Sequence, residues 1–191
     1  MNQQILEFWK SQGLANIVPN TGKEFPEGWD VRGHLRLLFK KRHVTDIGCG
    51  YGRLCTSFDA QDYLGLDINP AAIEEAKRRN PDYSFRTMQD DRDFGGNLDA
   101  ALLYTVLLHV DDDDIEGFVG DICRRTAMLV IAEIMDRKWR RPGNPPVFNR
   151  NADEYVSLLE KCNFVTTDEI ALPYSRYPDT DITFLVSSIR R

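Results

Sequence analysis

Val44-Thr45-Asp46-Ile47 followed by Gly48-Cys49-Gly50-Tyr51-Gly52 constrains this chain more than any other stretch, because a short apolar strand runs straight into three alternating glycines. Glycine lets a backbone turn sharply off a strand end and approach a bound group more closely than any Cβ permits. The order predicts a strand, a loop whose backbone N–H groups face a ligand, and then a helix whose start faces it too. A dinucleotide fingerprint requires Gly-x-Gly-x-x-Gly. Arg53 stands where the last of those glycines belongs, so that reading fails.

Tyr63-Leu64-Gly65-Leu66-Asp67 reads as a second short strand ending in an acid, 21 residues after Asp46. A βαβ unit of that length brings a carboxylate to the end of the neighbouring strand, where its two oxygens can accept from both hydroxyls of a ribose. Asn69-Pro70 then caps and opens a helix continuing from Ala71 to Arg79, with Glu74/Arg78 and Glu75/Arg79 at i,i+4 on the solvated side. The acid, one further residue and Gly-x-Gly-x-Gly resemble motif I of the class I S-adenosylmethionine-dependent methyltransferases. The resemblance covers roughly residues 30–189, with its strong motifs between 44 and 110.

At 191 residues the chain suits a single domain with a real core. No apolar run approaches a membrane span, and Met1-Asn2-Gln3-Gln4 does not open a secretory signal. Cys49, Cys55, Cys123 and Cys162 form no CxxC and sit inside predicted elements, which reads as reduced core cysteine and a cytoplasmic home. A net charge of −6 argues against a broad grip on duplex nucleic acid.

From residue 44 onward the periodicity alternates βα, which implies a mostly parallel sheet with helices on both faces. Strands are expected at about 44–47, 63–66, 83–87, 98–103 and 127–133. Asn151 with Glu154 opens a further helix whose apolar face is Ala152, Tyr155, Val156, Leu159 and Cys162. Phe164 to Ile170 and Ile182 to Ile189 then read as two strands joined by a proline-containing link of hairpin type. This pattern matches the Rossmann-like, seven-stranded methyltransferase sheet with an antiparallel last strand. Ahead of the core 44–191, residues 1–43 form a helical cap or lid: one helix over 2–12 with Ile5, Phe8 and Trp9 on a face, and one capped by Asp30 carrying Val31, Leu35 and Leu38.

What the resemblance implies for the site follows residue by residue. Gly48, Gly50 and Gly52, with Asp46 before them, hold the methionine part of S-adenosylmethionine. Asp67, with Ile68 beside it, takes the ribose. The acid expected beside the adenine falls on Gln89 by distance from Phe85, with Asp90 one place later, and either can serve. Tyr104 ends the fourth strand. His109 stands where small-molecule methyltransferases often place a histidine, as a base toward the acceptor or as an aligning group. S-adenosylhomocysteine is the product.

Asp111-Asp112-Asp113-Asp114 invites a metal, but Ile115, Phe118, Val119 and Ile122 follow at helical spacing with Arg124 and Arg125 at the far end. Acids at a helix start and cations at its end account for the run without a metal. Asn144-Pro145-Pro146-Val147 lies after the fifth strand, not the fourth, and lacks the aromatic of the amino-methylating motif, so it reads as a proline-stiffened loop.

The acceptor pocket is expected from residues 1–30, 136–150 and 173–180, with Trp9, Trp29, Arg137, Arg140, Arg141, Arg150 and Tyr174 as candidate contacts and Trp139 and Tyr177 nearby. The arginines suit an anionic acceptor. These readings describe methyl transfer to an O or N atom of a small metabolite. Two others stay open: a methyltransferase acting on protein or tRNA, and a cofactor-binding module without turnover.

Overall fold

The computed structural model describes residues 2–13, 30–174 and 179–190. Its centre is one seven-stranded sheet, β1 (Val44–Ile47), β2 (Tyr63–Asp67), β3 (Ser84–Thr87), β4 (Ala100–Tyr104), β5 (Met128–Glu133), β6 (Phe164–Pro173) and β7 (Asp181–Ile189). The order across the sheet is β3-β2-β1-β4-β5-β7-β6. β7 enters antiparallel between β5 and β6, and the remaining pairs are parallel. The order reverses between β1 and β4, which opens a crevice at their C-terminal ends.

The apolar runs become central strands because both of their faces are covered. All five residues of β4 are buried, as are Leu129 to Glu133 of β5. On one face Val44, Leu102, Val130, Ala132 and Phe184 pack with Val31 and Leu35 of α2 (Val31–Leu38) and Ile73 and Ala76 of α3 (Pro70–Arg79). On the other, Ile47, Leu103, Leu129, Ile131 and Leu185 meet Phe118, Val119 and Ile122 of α4 (Ile115–Cys123) and Tyr155 and Leu159 of α5 (Ala152–Lys161). Each such side chain contributes about 1.5–3 kcal/mol when fully buried, so the sheet and its two helical layers stabilise each other.

Several local expectations need correction. No α-helix follows the glycine loop: the chain makes two short 3₁₀ turns, Cys55–Ser57 and Ala60–Asp62, before entering β2. The segment is short and rich in weak helix formers, and Leu54, Cys55 and Ser57 are drawn completely into the core. On α3 the expected Glu75–Arg79 pair forms at 2.6 Å, but Arg78 also goes to Glu75, at 2.6 Å, and Glu74 pairs instead with Lys77 at 3.0 Å. Asp30 stands at the N-cap of α2 without making a side-chain capping bond. Asn69 caps α3 as expected, accepting from Ala72 N at 3.0 Å. The terminal strands extend beyond the expected runs, to Pro173 and back to Asp181.

α1 (Gln3–Ser11), capped by Asn2, lies over the crevice. Asn69 Nδ2 donates to Trp9 O at 2.9 Å and to Gln12 O at 2.8 Å, and Asn2 N donates to Asp111 Oδ2 at 3.2 Å.

At the opposite wall Glu133, the last residue of β5, is fully buried. Its Oε1 accepts from Val106 N and Leu107 N, both at 2.6 Å, so it fixes the turn leaving β4. Oε2 is buried without a hydrogen-bond partner among the described residues. Burial outweighs the two amides and raises the carboxyl from 4.5 to about 8. The folded protein therefore keeps a proton here that the unfolded chain loses, and this group's contribution to stability falls as pH rises from about 4.5 through about 8. Glu133→Gln keeps an acceptor for both amides and removes the titration. Urea unfolding across that range should show the variant gaining on the wild type with pH, by up to about 1.4 kcal/mol per unit; parallel stability curves would disprove the assignment.

Candidate active site

The crevice between β1 and β4 is a cavity lined by Trp9, Ile47, Gly48, Gly50, Arg53, Asp67, Ile68, Asn69, Met88, Asp91, Thr105, Val106, His109 and Phe118. Its floor is made by the chain leaving β1, β2, β3 and β4, with α1 over one side.

Gly48 and Gly50 adopt left-handed backbone with φ of 78° and 57°. A Cβ on Gly48 would stand 2.5 Å from Val106 Cγ2, so the glycine lets the ends of β1 and β4 close together beside the cavity. The loop's amides are committed inward, contrary to expectation. Gly48 N and Cys49 N both donate to Leu66 O at 2.7 and 3.0 Å, Gly52 N donates to Cys49 O at 3.1 Å, and Gly50 N donates to Asp67 Oδ2 at 2.7 Å. What the loop offers a ligand is space and a nearby carboxylate.

Asp67 Oδ1 accepts from Asn69 N at 2.8 Å, and the carboxylate retains acceptor capacity toward the cavity. Burial raises its pKa, with the amides of Asn69 and Gly50, the Arg53 guanidinium and the Ile68 amide pulling the other way. Asp46 lies outside the cavity lining: it is buried, accepts from Tyr63 OH at 2.8 Å, and burial lifts it to about 6. Gly52 also lies behind the lining, where a Cβ would stand 2.8 Å from Phe85 Cζ.

Of the residues considered for the adenine end, Gln89 and Asp90 are exposed and outside the lining. Asp90 Oδ1 accepts from Arg92 N at 2.8 Å. The neighbouring Asp91 lines the cavity together with Met88.

Arg53 donates to Tyr104 O and to Thr105 Oγ1, the latter at 2.7 Å, and its guanidinium lies 4.8 Å from the Tyr104 ring centroid. Tyr104 is thereby packed behind the wall rather than in it. Thr105 has φ 56°, an uncommon conformation for a β-branched residue, at the point where the chain turns off β4 into the cavity wall.

His109 ends the short turn Leu107–His109 and faces Trp9, with ring centroids 4.4 Å apart. Its Nδ1 and the Trp9 Nε1 are both buried without a hydrogen-bond partner among the described residues. Burial, then the Arg53 and Arg141 guanidinium groups, push the imidazole from 6.5 down to about 3. The ring is neutral at ordinary pH, suited to accepting a hydrogen bond and poorly suited to storing a proton.

The arginines of the following segment divide. Arg137 pairs with Glu154 at 2.8 Å and Arg140 with Asp112 at 2.5 Å. Arg150 is buried and bonds Leu107 O, Val110 O and Asp112 Oδ1 at 3.1, 2.8 and 2.7 Å. Arg141 is exposed and makes no ion pair or side-chain hydrogen bond among the described residues. Tyr174 is buried beside the β6–β7 link; Trp29 and Tyr177 lie outside the described residues. No cluster able to hold a metal occurs among the described residues. Sequence reasoning missed Arg53, which it met only as a departure from a fingerprint, and Asn69, which it read only as a helix cap. It also missed Asp91, Thr105 and Val106. Only the Arg after three loop glycines carried a signal by type and place.

Residues 45–127 match the sequence profile of a methyltransferase domain. No protein of curated function matches the chain by sequence. Among solved structures the chain is similar to magnesium protoporphyrin IX methyltransferase of Synechocystis bound to S-adenosylmethionine, at 16% identity and TM-score 0.69, with 97% of this chain and 95% of that one covered. It is similar also to 1,6-didemethyltoxoflavin-N1-methyltransferase of Burkholderia thailandensis, with its substrate and S-adenosylhomocysteine bound, at 18% identity, TM-score 0.67 and coverages of 83% and 76%. The cyclase SpnF shares the fold at 14% identity and TM-score 0.64, with coverages of 84% and 79%. The profile match falls on the strands and loops that build the crevice, and the chain has the fold of these methyltransferases.

Proposed function

We propose that the protein transfers the methyl group of S-adenosylmethionine to an oxygen or nitrogen atom of a small metabolite. One observation carries this reading: His109 and Trp9 line the same cavity as Gly48, Gly50 and Asp67, so the donor-side residues and α1 meet in one place. A cavity built by a few inward side chains suits a small acceptor better than a segment of protein or tRNA. Two similar structures are of methyltransferases whose names specify small molecules. Residues 1–43 act in this reading as the cap on the core 44–191, and the free cysteines and absence of a membrane-spanning helix among the described residues fit the expected cytoplasmic setting.

The residues present fit the donor. Gly48 and Gly50 leave room where a side chain would intrude, Asp67 has acceptor capacity for a ribose, Met88 and Asp91 stand where the adenine end is expected, and Arg53 offers a cation to the carboxylate of the methionine part. The sulfonium supplies an activated methyl group. The protein's task is then to align the nucleophile, exclude water and accept a hydrogen bond from the nucleophile where it carries a proton. A neutral His109 beneath Trp9 serves as the aligning acceptor, and the proton released as the nucleophile takes the methyl group passes to bulk solvent.

The competing reading is a donor-binding protein with other chemistry, since the cyclase SpnF shows that this fold hosts more than one. Labelled S-adenosylmethionine incubated with the protein and a cell extract separates them. Label in the small-molecule fraction is expected; label only in macromolecules, or nowhere, overturns the proposal. In calorimetry Asp67→Asn should bind S-adenosylhomocysteine at least tenfold more weakly with the fold retained, since charge-assisted hydrogen bonds are worth roughly 1.5–3 kcal/mol each. Unchanged affinity would leave Asp67 as a loop tie only.

His109→Ala should lower turnover about a hundredfold with donor affinity intact, and His109→Asn should recover part of it. Because the folded imidazole stays neutral down to about 3, the wild-type pH–rate profile should carry no limb near 6.5 that His109→Asn abolishes. Such a limb would restore His109 as a proton-carrying base.

A further inference from the structure

The turn that carries His109, Leu107–His109, is short and ties itself together sparingly: His109 N donates to Val106 O and Val110 N donates to Leu107 O, each at 3.0 Å. Its carbonyls are gripped from residues 148–150, far along the chain. Phe148 N donates to Leu108 O at 2.8 Å, and the Arg150 guanidinium donates to Leu107 O at 3.1 Å and to Val110 O at 2.8 Å. Backbone on both sides of His109 therefore ends on one segment. That segment is fixed in turn: Asn149 Nδ2 donates to Ile134 O at 2.7 Å, just past β5, and Asn151 opens α5 with a capping box.

Arg150 is buried yet lies outside the cavity lining. Sequence reasoning places it among the acceptor contacts; the structure sets it one layer back. It pairs with Asp112 at 2.7 Å, a half-exposed carboxylate that Arg140 shares. Such a guanidinium is a poor device for stability, because the cost of taking the charge out of water offsets much of what the pairing returns. What it supplies is direction. Its planar fork can hold two carbonyls at once in fixed geometry, which the single ammonium of a lysine on its flexible stem does not reproduce.

We propose that Arg150 is a positioning residue for methyl transfer: by holding the carbonyls of Leu107 and Val110 it fixes the His109 imidazole at the cavity, opposite Trp9. It acts through His109 and touches neither donor nor acceptor. The proposal rests on the methyl-transfer reading, with His109 as the aligning group, and its test separates the two.

Transfer from labelled S-adenosylmethionine to the small-molecule fraction of a cell extract is measured at saturating donor and extract for the wild type, Arg150→Lys, His109→Ala and the double variant. Arg150→Lys should lower turnover about tenfold alone and less than about twofold when added to His109→Ala, since nothing is left to position once the imidazole is gone. Affinity for S-adenosylhomocysteine, read by calorimetry, should stay within about twofold of wild type because the donor contacts are elsewhere. Lys161→Gln, which breaks an exposed pair with Glu116, should turn over as wild type. An equal loss with and without His109 makes Arg150 a general brace and overturns the positioning role while leaving methyl transfer standing. So does Arg150→Lys turnover equal to wild type. If Arg150→Lys does not fold, Asp112→Asn loosens the same guanidinium from an exposed position and takes its place in the cycle, with a loss of about threefold that again disappears without His109; the same two outcomes overturn the role. Label in no small molecule from the wild type, with the homocysteine product still bound, overturns the methyl-transfer reading and the positioning role with it.

Discussion

The carboxylate of Asp67 is the joint on which the site depends. One oxygen takes the amide of Gly50 and the other the amide of Asn69, so the loop after β1 and the loop after β2 share a single acceptor. Asn69 passes the constraint on, capping α3 through Ala72 N and holding α1 through the carbonyls of Trp9 and Gln12. Two charge-assisted bonds to a half-buried carboxylate, at roughly 1.5–3 kcal/mol each, thus position glycine loop, α3 and α1 together. α1, which meets His109 through Trp9, is fastened beside that carboxylate through Asn69.

The sheet was legible from the sequence because its strands are short apolar runs set off by turn-forming residues, and central parallel strands need little else. Val44–Ile47 appears as expected, and the other strands differ only at their ends. The missing helix after Gly52 was not legible. The glycine pattern implies one by habit of the fold, whereas Leu54, Cys55 and Ser57 are buried more deeply as 3₁₀ turns. Partners far apart in sequence were equally hidden. Nothing local links Arg140 and Arg150 to Asp112, or Arg137 to Glu154, so Arg137, Arg140, Arg141 and Arg150 read together as contacts for an anionic acceptor. Trp9 and His109 meet only because the sheet brings the first helix over the end of β4. Asp91, rather than its neighbours, lines the cavity; Gln89 and Asp90 are exposed on the turn that β3 runs into, where Asp90 Oδ1 accepts from Arg92 N.

Electrostatics in the site follow from burial more than from pairing. Asp46, Asp67 and Glu133 all have raised pKa values with desolvation as the largest cause, and His109 is lowered for the same reason. Neutral forms are therefore the stable ones at Glu133 and His109 near neutral pH. Arg53 and Arg141 then act on a neutral imidazole, a field that further repels a proton from His109.

The turn carrying His109 is gripped at both ends by opposite chemistry. At its start, Glu133 Oε1 receives the amides of Val106 and Leu107; at its end, Arg150 donates to the carbonyls of Leu107 and Val110. Val106 N, Leu107 N and Val110 O are backbone groups the short turn does not itself satisfy, and in a buried place each would otherwise cost about 1–3 kcal/mol, while Leu107 O takes Arg150 in addition to Val110 N. Thr105 can hold a backbone conformation that costs about 1–3 kcal/mol because the residues after it are fixed this way and Arg53 binds its hydroxyl. Strain at one residue and two buried ionisable side chains are thus set against a single gain, an imidazole whose position does not depend on the ligand. α1, through Trp9, and the segment after β5, through Phe148 N to Leu108 O, touch that fixed turn from outside.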